Sequence, residues 1–567
     1  MTQDKRFRIA LVVAASIAMP ASPGVAQVEP PAVPAGRVPP PGPYLPGFDA
    51  LHYDIDIALP SDGGRIEAVT TLDVARSAPV RDTLRLDLSG LRVTRVLVGR
   101  PGDELAPAAH RQDDGRLFVT LPRSSAPDTV RVEVTYDGVP DDGLILRQNV
   151  RGEPSAFADN WPDRARFWFP SIDHPSDKAT VAYEVRAPRG WKVIANGVRE
   201  DTTDDESWSY RVDVPIPTYT MVIGATRMSV GAIDVCAPGG RTASRPDGCV
   251  AVTSWTFPQD SANGARIFRR GGDMVRYYAE RFGPFPYDAL AHVQSATRFG
   301  GMENVGAIFY SERAVANGSL SETTVAHETA HQWFGDAVTP ADWPHLWLSE
   351  GFATYFGIQY FEDADGRERF RGMLDESANG YLQSDVQDLA IVDTLRIPDD
   401  NLFSLLNENS YQKGGQVLHM LRGLVGDDAF FQAVRRYFES QSDGSARTSD
   451  LQSAFEDVAG RDLSWFFEQW VYSPGHPVFR VSYEFDAAAG RATIVLEQTQ
   501  SADWPTFRLP LELEITTARG SVRHRVEVTG RRTETSVQLD AAPVTVALDP
   551  DGWVLEERVD GQGATSR

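Results

Sequence analysis

The chain has 567 residues, of which 24 % are charged and 42 % are hydrophobic, a balance typical of a soluble globular protein with several domains. Its formal net charge of -24 argues against nucleic acid or an anionic membrane as a partner, because either would require a basic surface. The composition thus excludes a disordered chain and a polyanion-binding protein, and the function must be sought in the motifs.

The first 26 residues predict a cleavable secretion signal. Three basic residues precede an apolar run at 9–19, and a Gly-Val-Ala sequence at 24–26 provides a cleavage site of small residues. The run is shorter than the roughly 20 residues that a membrane-spanning helix needs. We therefore expect an exported protein, periplasmic or extracellular, with no stable membrane insertion after cleavage; an uncleaved membrane anchor is the alternative.

The hydrophobic pattern divides the rest of the chain. Residues 27–47 contain eight prolines, which predict an extended linker. Residues 48–228 alternate apolar and polar side chains in β-branched runs, which predicts an N-terminal all-β domain. A helical period from about residue 262 predicts a mainly helical domain over 229–472.

Alternation returns after that domain. It predicts a small C-terminal β-sandwich over 473–557, followed by a polar tail at 558–567. The predicted fold class is therefore multidomain α+β. Cys236 and Cys249 flank a turn-rich stretch in a chain that we expect to be exported, so we predict a disulfide between them.

A candidate zinc site begins with the sequence His327-Glu328-Thr329-Ala330-His331. Ser319 and Glu322 are predicted to cap a helix that contains this sequence. Residues four apart share one helix face, so His327 and His331 can bind one zinc ion while Glu328 projects beside them as a general base.

A catalytic zinc ion needs a third protein ligand and an open position for water. Glu350 lies 19 residues after His331, at the start of a second predicted helix. A loop containing Pro340 separates the two helices, so they can pack side by side. We predict one catalytic zinc ion, although cobalt or manganese could occupy the same ligand set.

These motifs resemble the aminopeptidase N family of zinc metallopeptidases, peptidase family M1. The HExxH sequence with Glu350 matches the zinc motif of the family, Gly300–Asn304 matches its G-x-M-E-N exopeptidase signature, and Tyr411–Gly414 matches its Y-x-K-G element. Upstream, Arg166–Pro175 resembles the family's R-x-x-F-P-x-x-D-x-P stretch. The similarity extends from about residue 50 to residue 475.

The resemblance implies a thermolysin-like catalytic domain and a role for each matching residue. Zinc would lower the pKa of a water molecule, and Glu328 would take its proton and deliver it to the leaving amine. Tyr411 would stabilise the oxyanion of the tetrahedral intermediate. Glu303 would bind the free α-ammonium group of the substrate, with the Gly300 and Gly301 backbone alongside and Met302 lining the pocket for the first side chain.

Two features depart from the family pattern. Seven and five residues before Arg166 the family usually carries Gln and then Gln or Glu, which help to hold the substrate amine. Here these positions are Asp159 and Trp161. Asp159 could take over amine binding, whereas Trp161 cannot supply a carboxylate. Many family members also continue into a large C-terminal helical domain, and since none follows the sandwich in this sequence we expect a more open cleft.

The leading hypothesis is a zinc aminopeptidase that acts on peptides with a free N-terminus. A zinc endopeptidase of the thermolysin kind and an epoxide hydrolase would use the same site. An inactive scaffold that binds peptides is the non-enzymatic alternative. The sequence predicts neither the preferred N-terminal residue nor the oligomeric state.

Overall fold

The structure is a computed structural model that describes residues 44–61, 64–77, 80–200, 206–239, 245, 247–393 and 401–559. The predicted signal peptide and all but the end of the Pro-rich linker lie outside the described residues, as does the predicted polar tail from residue 560. No helix in the described part of the chain is long and apolar enough to cross a membrane.

The region that precedes residue 228 is built from β-strands, as its alternating pattern predicted. In β1 (Phe48–Ala58), for example, Tyr53, Ile55 and Ile57 are buried, whereas the residues between them point away from the core. The strands that follow are β2 (Ile66–Arg76), β3 (Thr83–Asp87), β4 (Arg92–Gly99), β5 (Ala106–Pro107), β6 (His110–Asp113), β7 (Arg116–Thr120), β8 (Asp128–Gly138), β9 (Leu144–Gln148), β10 (Pro154–Ala158), β11 (Lys178–Arg186), β12 (Lys192–Ala195), β13 (Val198–Glu200), β14 (Ser207–Pro217) and β15 (Ile223–Thr226).

These strands form three sheets. The largest has the order β13-β14-β11-β1-β2-β8-β4-β5, and the others have the orders β3-β7-β6 and β12-β15-β10-β9. β10 is an inner strand of the last of these sheets, between β15 and β9, and the loop that follows β10 carries Asp159 and Trp161. The N-terminal region therefore supplies residues close to the catalytic region.

The middle region combines a sheet with a group of helices. Its elements are β16 (Ser229–Pro238), β17 (Cys249–Thr256), α1 (Ser261–Ile267), α2 (Gly271–Phe282), β18 (Ala289–Ser295), β19 (Gly301–Met302), β20 (Ala307–Ser311), α3 (Glu312–Ala316), α4 (Glu322–His331), β21 (Thr339–Pro340), α5 (Trp347–Asp365), α6 (Arg367–Leu382), α7 (Gly414–Val425), α8 (Asp427–Gln441), β22 (Ser445–Ala446), α9 (Thr448–Ala459) and α10 (Ser464–Trp470). The sheet has the order β16-β17-β18-β20-β19, and the disulfide between Cys236 and Cys249 links its first two strands.

The middle region is mainly helical, as predicted, but the helical period expected from about residue 262 is interrupted at residues 283–311, which contain β18, β19 and β20. The side chains of β18 and β20 are almost all buried, and the two strands pair in parallel. Strands that are buried on both faces have continuous apolar runs, and such runs cannot be distinguished from buried helix by periodicity.

The C-terminal region is again built from strands, as predicted. They are β23 (Val478–Asp486), β24 (Arg491–Gln498), β25 (Leu509–Thr517), β26 (Gly520–Val528), β27 (Arg532–Gln538), β28 (Pro543–Leu548) and β29 (Glu557–Val559). They form two sheets with the orders β27-β24-β23-β29 and β26-β25-β28. The described residues from Tyr44 onward belong to one compact unit, and the boundaries at 228 and 472 stay predictions.

Trp553 of the C-terminal region packs against α7. The Trp553 ring stacks on His419 of α7 with their centroids 4.7 Å apart, and the ring Nε2 of His419 lies 3.1 Å from the backbone oxygen of Gly552. A Cβ at Gly423 would lie 2.8 Å from the Trp553 ring. Glycine at residue 423 thus permits the close approach of the two regions.

Lys413, which directly precedes α7, is fully buried. Its Nζ donates a hydrogen bond of 3.4 Å to the backbone oxygen of Ser473 and lies 5.5 Å from the centre of the Tyr381 ring. Burial lowers the pKa of the Lys413 amine to about 7. Its protonation therefore differs between the folded and the unfolded chain over a wide pH range.

We expect Lys413→Met to change how the melting temperature depends on pH. Between about pH 7 and 10 the unfolded chain binds a proton at Lys413 that the folded chain does not, so this lysine makes the wild-type fold more stable as the pH rises. The methionine variant lacks this contribution, which amounts to about 1.4 kcal/mol per pH unit at most. Its melting temperature relative to wild type should fall from pH 7 to pH 9, and a constant difference would contradict the assignment. Lys192→Met, at a half-buried lysine of β12, is the control.

Candidate active site

The structure brings together the three residues that the sequence predicts as zinc ligands. His327 and His331 lie on one face of α4, and their Nε2 atoms are 3.0 Å apart. Each of these nitrogens lies 3.3 Å from Oε2 of Glu350, which occupies the first turn of α5. The three donor atoms form a nearly equilateral triangle.

Local sequence explains why α4 and α5 meet here. Ser321, two residues beyond the predicted cap Ser319, accepts a hydrogen bond from the backbone N–H of Thr324 and begins α4. The backbones of the two helices pack closely at Gly357 of α5, where an added Cβ would lie only 3.1 Å from the backbone of His327. A larger residue at 357 would push the helices apart.

His331 is held in one orientation by the segment that follows α4. Its Nδ1 donates a hydrogen bond of 3.0 Å to the backbone oxygen of Phe334, and the hydroxyl of Ser349 lies 3.1 Å from the same nitrogen. This hydrogen bond places the proton on Nδ1 and leaves Nε2 free to bind a metal ion. Gly335 follows with a φ of 123°, where a Cβ would lie 2.5 Å from the Ser349 hydroxyl.

The donor set fits zinc in both geometry and chemistry. Ligand atoms about 2.0–2.1 Å from a tetrahedral zinc ion lie roughly 3.3–3.4 Å from one another. The observed separations of 3.0 and 3.3 Å are close to that spacing. Two imidazoles and one carboxylate are also the ligand set of catalytic zinc sites, which leave a fourth position open.

Three buried carboxylates make this site electrostatically suited to a cation. Burial raises the pKa of Glu303 to about 7 and that of Glu328 well above its usual range. Burial also disfavours the charge of Glu350, but the neighbouring His331 and His327 lower its pKa to about 2. Since no lysine or arginine of the described residues lines the cavity, a bound divalent cation would compensate the carboxylates.

The cavity has a volume of about 380 Å³ and contains most of the predicted site. Its wall includes every residue that the sequence predicts as a zinc ligand, general base, amine anchor or oxyanion stabiliser, together with the strand β19 and the residue before it. The described lining residues are Trp161, Phe299, Gly300, Gly301, Met302, Glu303, Ser321, Thr323, Thr324, His327, Glu328, His331, Glu350, Leu406 and Tyr411.

Gly301 of β19 packs directly against Glu328. A Cβ at residue 301 would overlap the Glu328 carboxylate, whereas a Cβ at the neighbouring Gly300 would meet no atom within 4 Å. β19 is an edge strand of its sheet, paired on one side with β20. Its other side is therefore available to an extended peptide.

We expect Gly301→Ala to lower kcat/KM by about 10- to 100-fold, with a smaller effect on stability. The new methyl group would overlap the carboxylate and the Cγ atom of Glu328, so this side chain must shift, which moves the proposed base away from its working position. Steady-state kinetics and a thermal melt measure the two effects. Gly300→Ala, with open space around the new methyl group, is the matched control and should stay within about threefold of wild type. Equal effects of the two variants would contradict the role assigned to residue 301.

Gln332 is a buried residue of this site that the sequence reasoning missed. Its Nε2 donates hydrogen bonds to the backbone oxygen of Glu303 at 2.9 Å and to Oδ2 of Asp336 at 2.8 Å. Its Oε1 accepts a hydrogen bond of 2.8 Å from the backbone N–H of Gly306. Gln332 thus fixes the loop that carries Glu303, and its position directly after the HExxH motif was the available signal.

Tyr411 lies in a π-helical turn, Asn409–Lys413, that leads into α7. Its ring is nearly parallel to that of His327, with the centroids 6.0 Å apart. Burial, reinforced by Glu350, raises the pKa of the Tyr411 hydroxyl well above its usual range, so this group stays protonated and can donate a hydrogen bond.

Two glycines hold this turn against α5. A Cβ at Gly414 would lie 3.1 Å from the Cα of Gly351, and a Cβ at Gly351 would lie 2.9 Å from the carbonyl carbon of Gly414. Gly351 directly follows the predicted ligand Glu350, and Gly414 ends the motif that carries Tyr411. The backbones of the two motifs are therefore in contact.

The structure does not bring Asp159 into the cavity as an amine ligand. Its side chain is fully buried, and its two carboxylate oxygens pair with Arg164 at 2.9 Å and with Arg298 at 3.3 Å. Among the described lining residues it is Trp161 that comes from this loop. Asp159 therefore does not contribute a lining carboxylate for the substrate amine, because two arginines already neutralise it.

Comparison with known families agrees with this geometry. The family described as "Peptidase family M1 domain" matches residues 269–470, and the "Peptidase M1 N-terminal domain" matches residues 49–220. Aminopeptidase N of Streptomyces lividans is 28 % identical over 478 residues, which cover 80 % of this chain and 53 % of that protein. Human (Homo sapiens) glutamyl aminopeptidase is 26 % identical over 474 residues, which cover 77 % and 48 %. The chain spans about half the length of the curated relatives it matches.

Solved structures match over most of their own length. The crystal structure of an M1 zinc metallopeptidase from Deinococcus radiodurans has a TM-score of 0.61 and 25 % identity, and the match covers 75 % of this chain and 93 % of that one. A mutant of a two-domain M1 zinc metallopeptidase bound to L-tryptophan has a TM-score of 0.63 and 25 % identity, with 75 % and 94 % covered. The chain belongs to peptidase family M1.

Proposed function

We propose that the protein is a zinc-dependent aminopeptidase, which removes the N-terminal residue from peptides. The observation that carries this proposal is the cavity whose wall combines the His327, His331 and Glu350 group with Glu328 and Glu303. One oxygen of Glu303, one oxygen of Glu328 and one ring nitrogen of His331 lie within 4.8 Å of one another. An amine anchor, a base and a metal ligand therefore face the same small volume.

His327, His331 and Glu350 would hold the zinc ion. When bound, zinc acts as a Lewis acid that polarises a carbonyl group and lowers the pKa of water. Glu328 acts as the general base, which takes a proton from the attacking water and passes it to the leaving amine. Its buried position beside Gly301 keeps the carboxylate out of bulk water and directs it into the cavity.

Glu303 accounts for the choice of the chain end. Its carboxylate accepts charge-assisted hydrogen bonds from a free α-ammonium group, while Gln332 fixes its backbone. An acyl group on that nitrogen would remove the positive charge of the substrate and would clash with the Glu303 carboxylate. Tyr411, whose hydroxyl stays protonated, donates a hydrogen bond to the oxyanion that forms at the scissile carbonyl.

The proposal includes the organisation of the whole chain. A signal peptide at 1–26, a linker to residue 47, and domain boundaries near residues 228 and 472 complete it. The disulfide between Cys236 and Cys249 supports export, because such bonds persist in oxidising compartments. We therefore place the mature protein in the periplasm or outside the cell.

Hydrolysis of aminoacyl-arylamides tests the function. We expect the purified protein to release the arylamine from a substrate with a free α-amino group at least about 100-fold faster than from its N-acetylated form. Glu303→Gln should reduce this preference. Equal cleavage of free and acetylated peptides would instead identify a zinc endopeptidase, and hydrolysis that persists after chelation of the metal would exclude a zinc enzyme.

A further inference from the structure

One side of the cavity is lined by Trp161, Phe299 and Leu406, and Phe403 packs against the first two; we call this cluster of rings and apolar side chains the aromatic wall. The centroid of the Trp161 ring lies 6.0 Å from that of Phe299 and 5.4 Å from that of Phe403, and Phe299 and Phe403 stack with their centroids 6.4 Å apart. Trp343 supports the wall from a further element, 5.5 Å from Trp161. These rings come from distant parts of the sequence.

The aromatic wall lies beside the groups that would hold the first residue of a peptide. Trp161, Phe299 and Leu406 line the same cavity as Glu303 and Glu350. Phe299 also lies two residues before β19, and Glu303 directly follows that strand. A residue whose amine meets Glu303 and whose carbonyl meets the metal group has the aromatic wall alongside its side chain.

The charged groups behind the wall are paired with one another. Arg164 and Arg298 neutralise Asp159, and each also pairs with Asp142, at 2.8 and 2.7 Å. Two arginines and two aspartates thus satisfy each other at this place. The arginines nearest these rings are therefore already paired with aspartates, and the aromatic-wall residues that line the cavity carry no charge of their own.

We infer that the aromatic wall makes this enzyme selective for peptides whose first residue is aromatic or large and aliphatic. The inference rests on the proposed aminopeptidase function and adds its substrate class. An aromatic side chain that packs against the wall buries its apolar surface and gains edge-to-face contacts with the rings of the wall. A charged side chain would lose its hydration there without gaining a partner. A small side chain such as that of alanine would leave the wall uncovered.

A panel of aminoacyl-arylamides tests this inference on the wild-type protein. We expect kcat/KM for the phenylalanine substrate to exceed that for the alanine, lysine and glutamate substrates by at least about 30-fold, with leucine between. Similar values for phenylalanine and lysine would overturn the inference and leave the aminopeptidase function intact. Failure to hydrolyse any member of the panel would overturn the proposed function and, with it, this inference.

Two variants assign the selectivity to the wall. Trp161→Ala should lower the ratio of kcat/KM for phenylalanine to that for alanine at least tenfold. Because Trp161 is only 2 % exposed and its loss could unfold the protein, Phe403→Ala is the second variant; Phe403 is 39 % exposed, and its removal should lower the same ratio about threefold or more.

The matched control is Trp208→Ala, a tryptophan of β14 that packs under Arg199 in the N-terminal region. It should leave the ratio unchanged. If folded Phe403→Ala and any folded Trp161 variant keep the wild-type ratio, the wall does not select the first residue and the inference fails.

Discussion

Glu328→Gln is expected to lower kcat by about 10³-fold, within the 10²–10⁴-fold range that general acid–base catalysis contributes. Glutamine has nearly the same shape as glutamate but cannot take a proton from water. Glu328 is 5 % exposed and packs against Gly301, so the amide fits the same space. The metal ligands are untouched, and both the zinc content and the melting temperature should stay close to wild type.

The measurement combines kcat on a phenylalanine arylamide with metal analysis and a thermal melt. Glu322→Gln is the matched control, since Glu322 lies in the first turn of the same helix but pairs with Arg269 and Arg270 rather than lining the cavity. We expect the control to retain activity within about twofold, as removal of partly exposed ion pairs has a small effect. Activity of Glu328→Gln at the wild-type level would show that another group takes the proton.

Glu350→Ala is expected to abolish activity through loss of the metal. The two histidines of α4 then present only two donor atoms, and the carboxylate that closes the triangle at 3.3 Å is gone. We expect the zinc content to fall from about one ion per chain to well below that after dialysis, and kcat/KM to fall by at least about 10³-fold. Chelation of the wild-type protein should give the same loss, reversed by added zinc.

The exposed residue Asp363 provides the control on the same helix. Its only ion pair among the described residues is with Arg281 at the surface, and Asp363→Ala should keep both the zinc and the activity. If Glu350→Ala retained one zinc ion with normal affinity, the third ligand would have to be another residue. Glu303, which shares the cavity, would be the first to test.

The zinc motif could be predicted from sequence because it is local. Four-residue spacing on a helix puts His327 and His331 on one face whatever the rest of the fold does. The alternating strands of the terminal regions were predictable for the same reason, since each has one buried face. The buried parallel strands β18 and β20 were not, because both of their faces are apolar and the period disappears.

Interactions between distant segments explain the remaining differences. The aromatic wall joins Trp161 with Phe403, which are about 240 positions apart, and no periodicity reports such a contact. Asp159 has a sequence position that suggests amine binding, but its arginine partners come from residues 164 and 298. Gln332 is adjacent to a ligand in sequence, yet its role depends on the loop at 303–306 that it contacts.

The contact between Gly351 and Gly414 has a consequence for how this site can change. The separation between the predicted metal ligand Glu350 and the hydroxyl-bearing Tyr411 is set by two backbone segments in van der Waals contact, since a Cβ added to either glycine would lie only 2.9–3.1 Å from the backbone of the other. A methyl group added at either glycine would meet backbone atoms, which cannot move away by a change of side-chain rotamer. Substitutions that change the aromatic wall can therefore alter which peptides are cut. The spacing between Glu350 and Tyr411 stays the same, because it is set by backbone atoms and not by side chains.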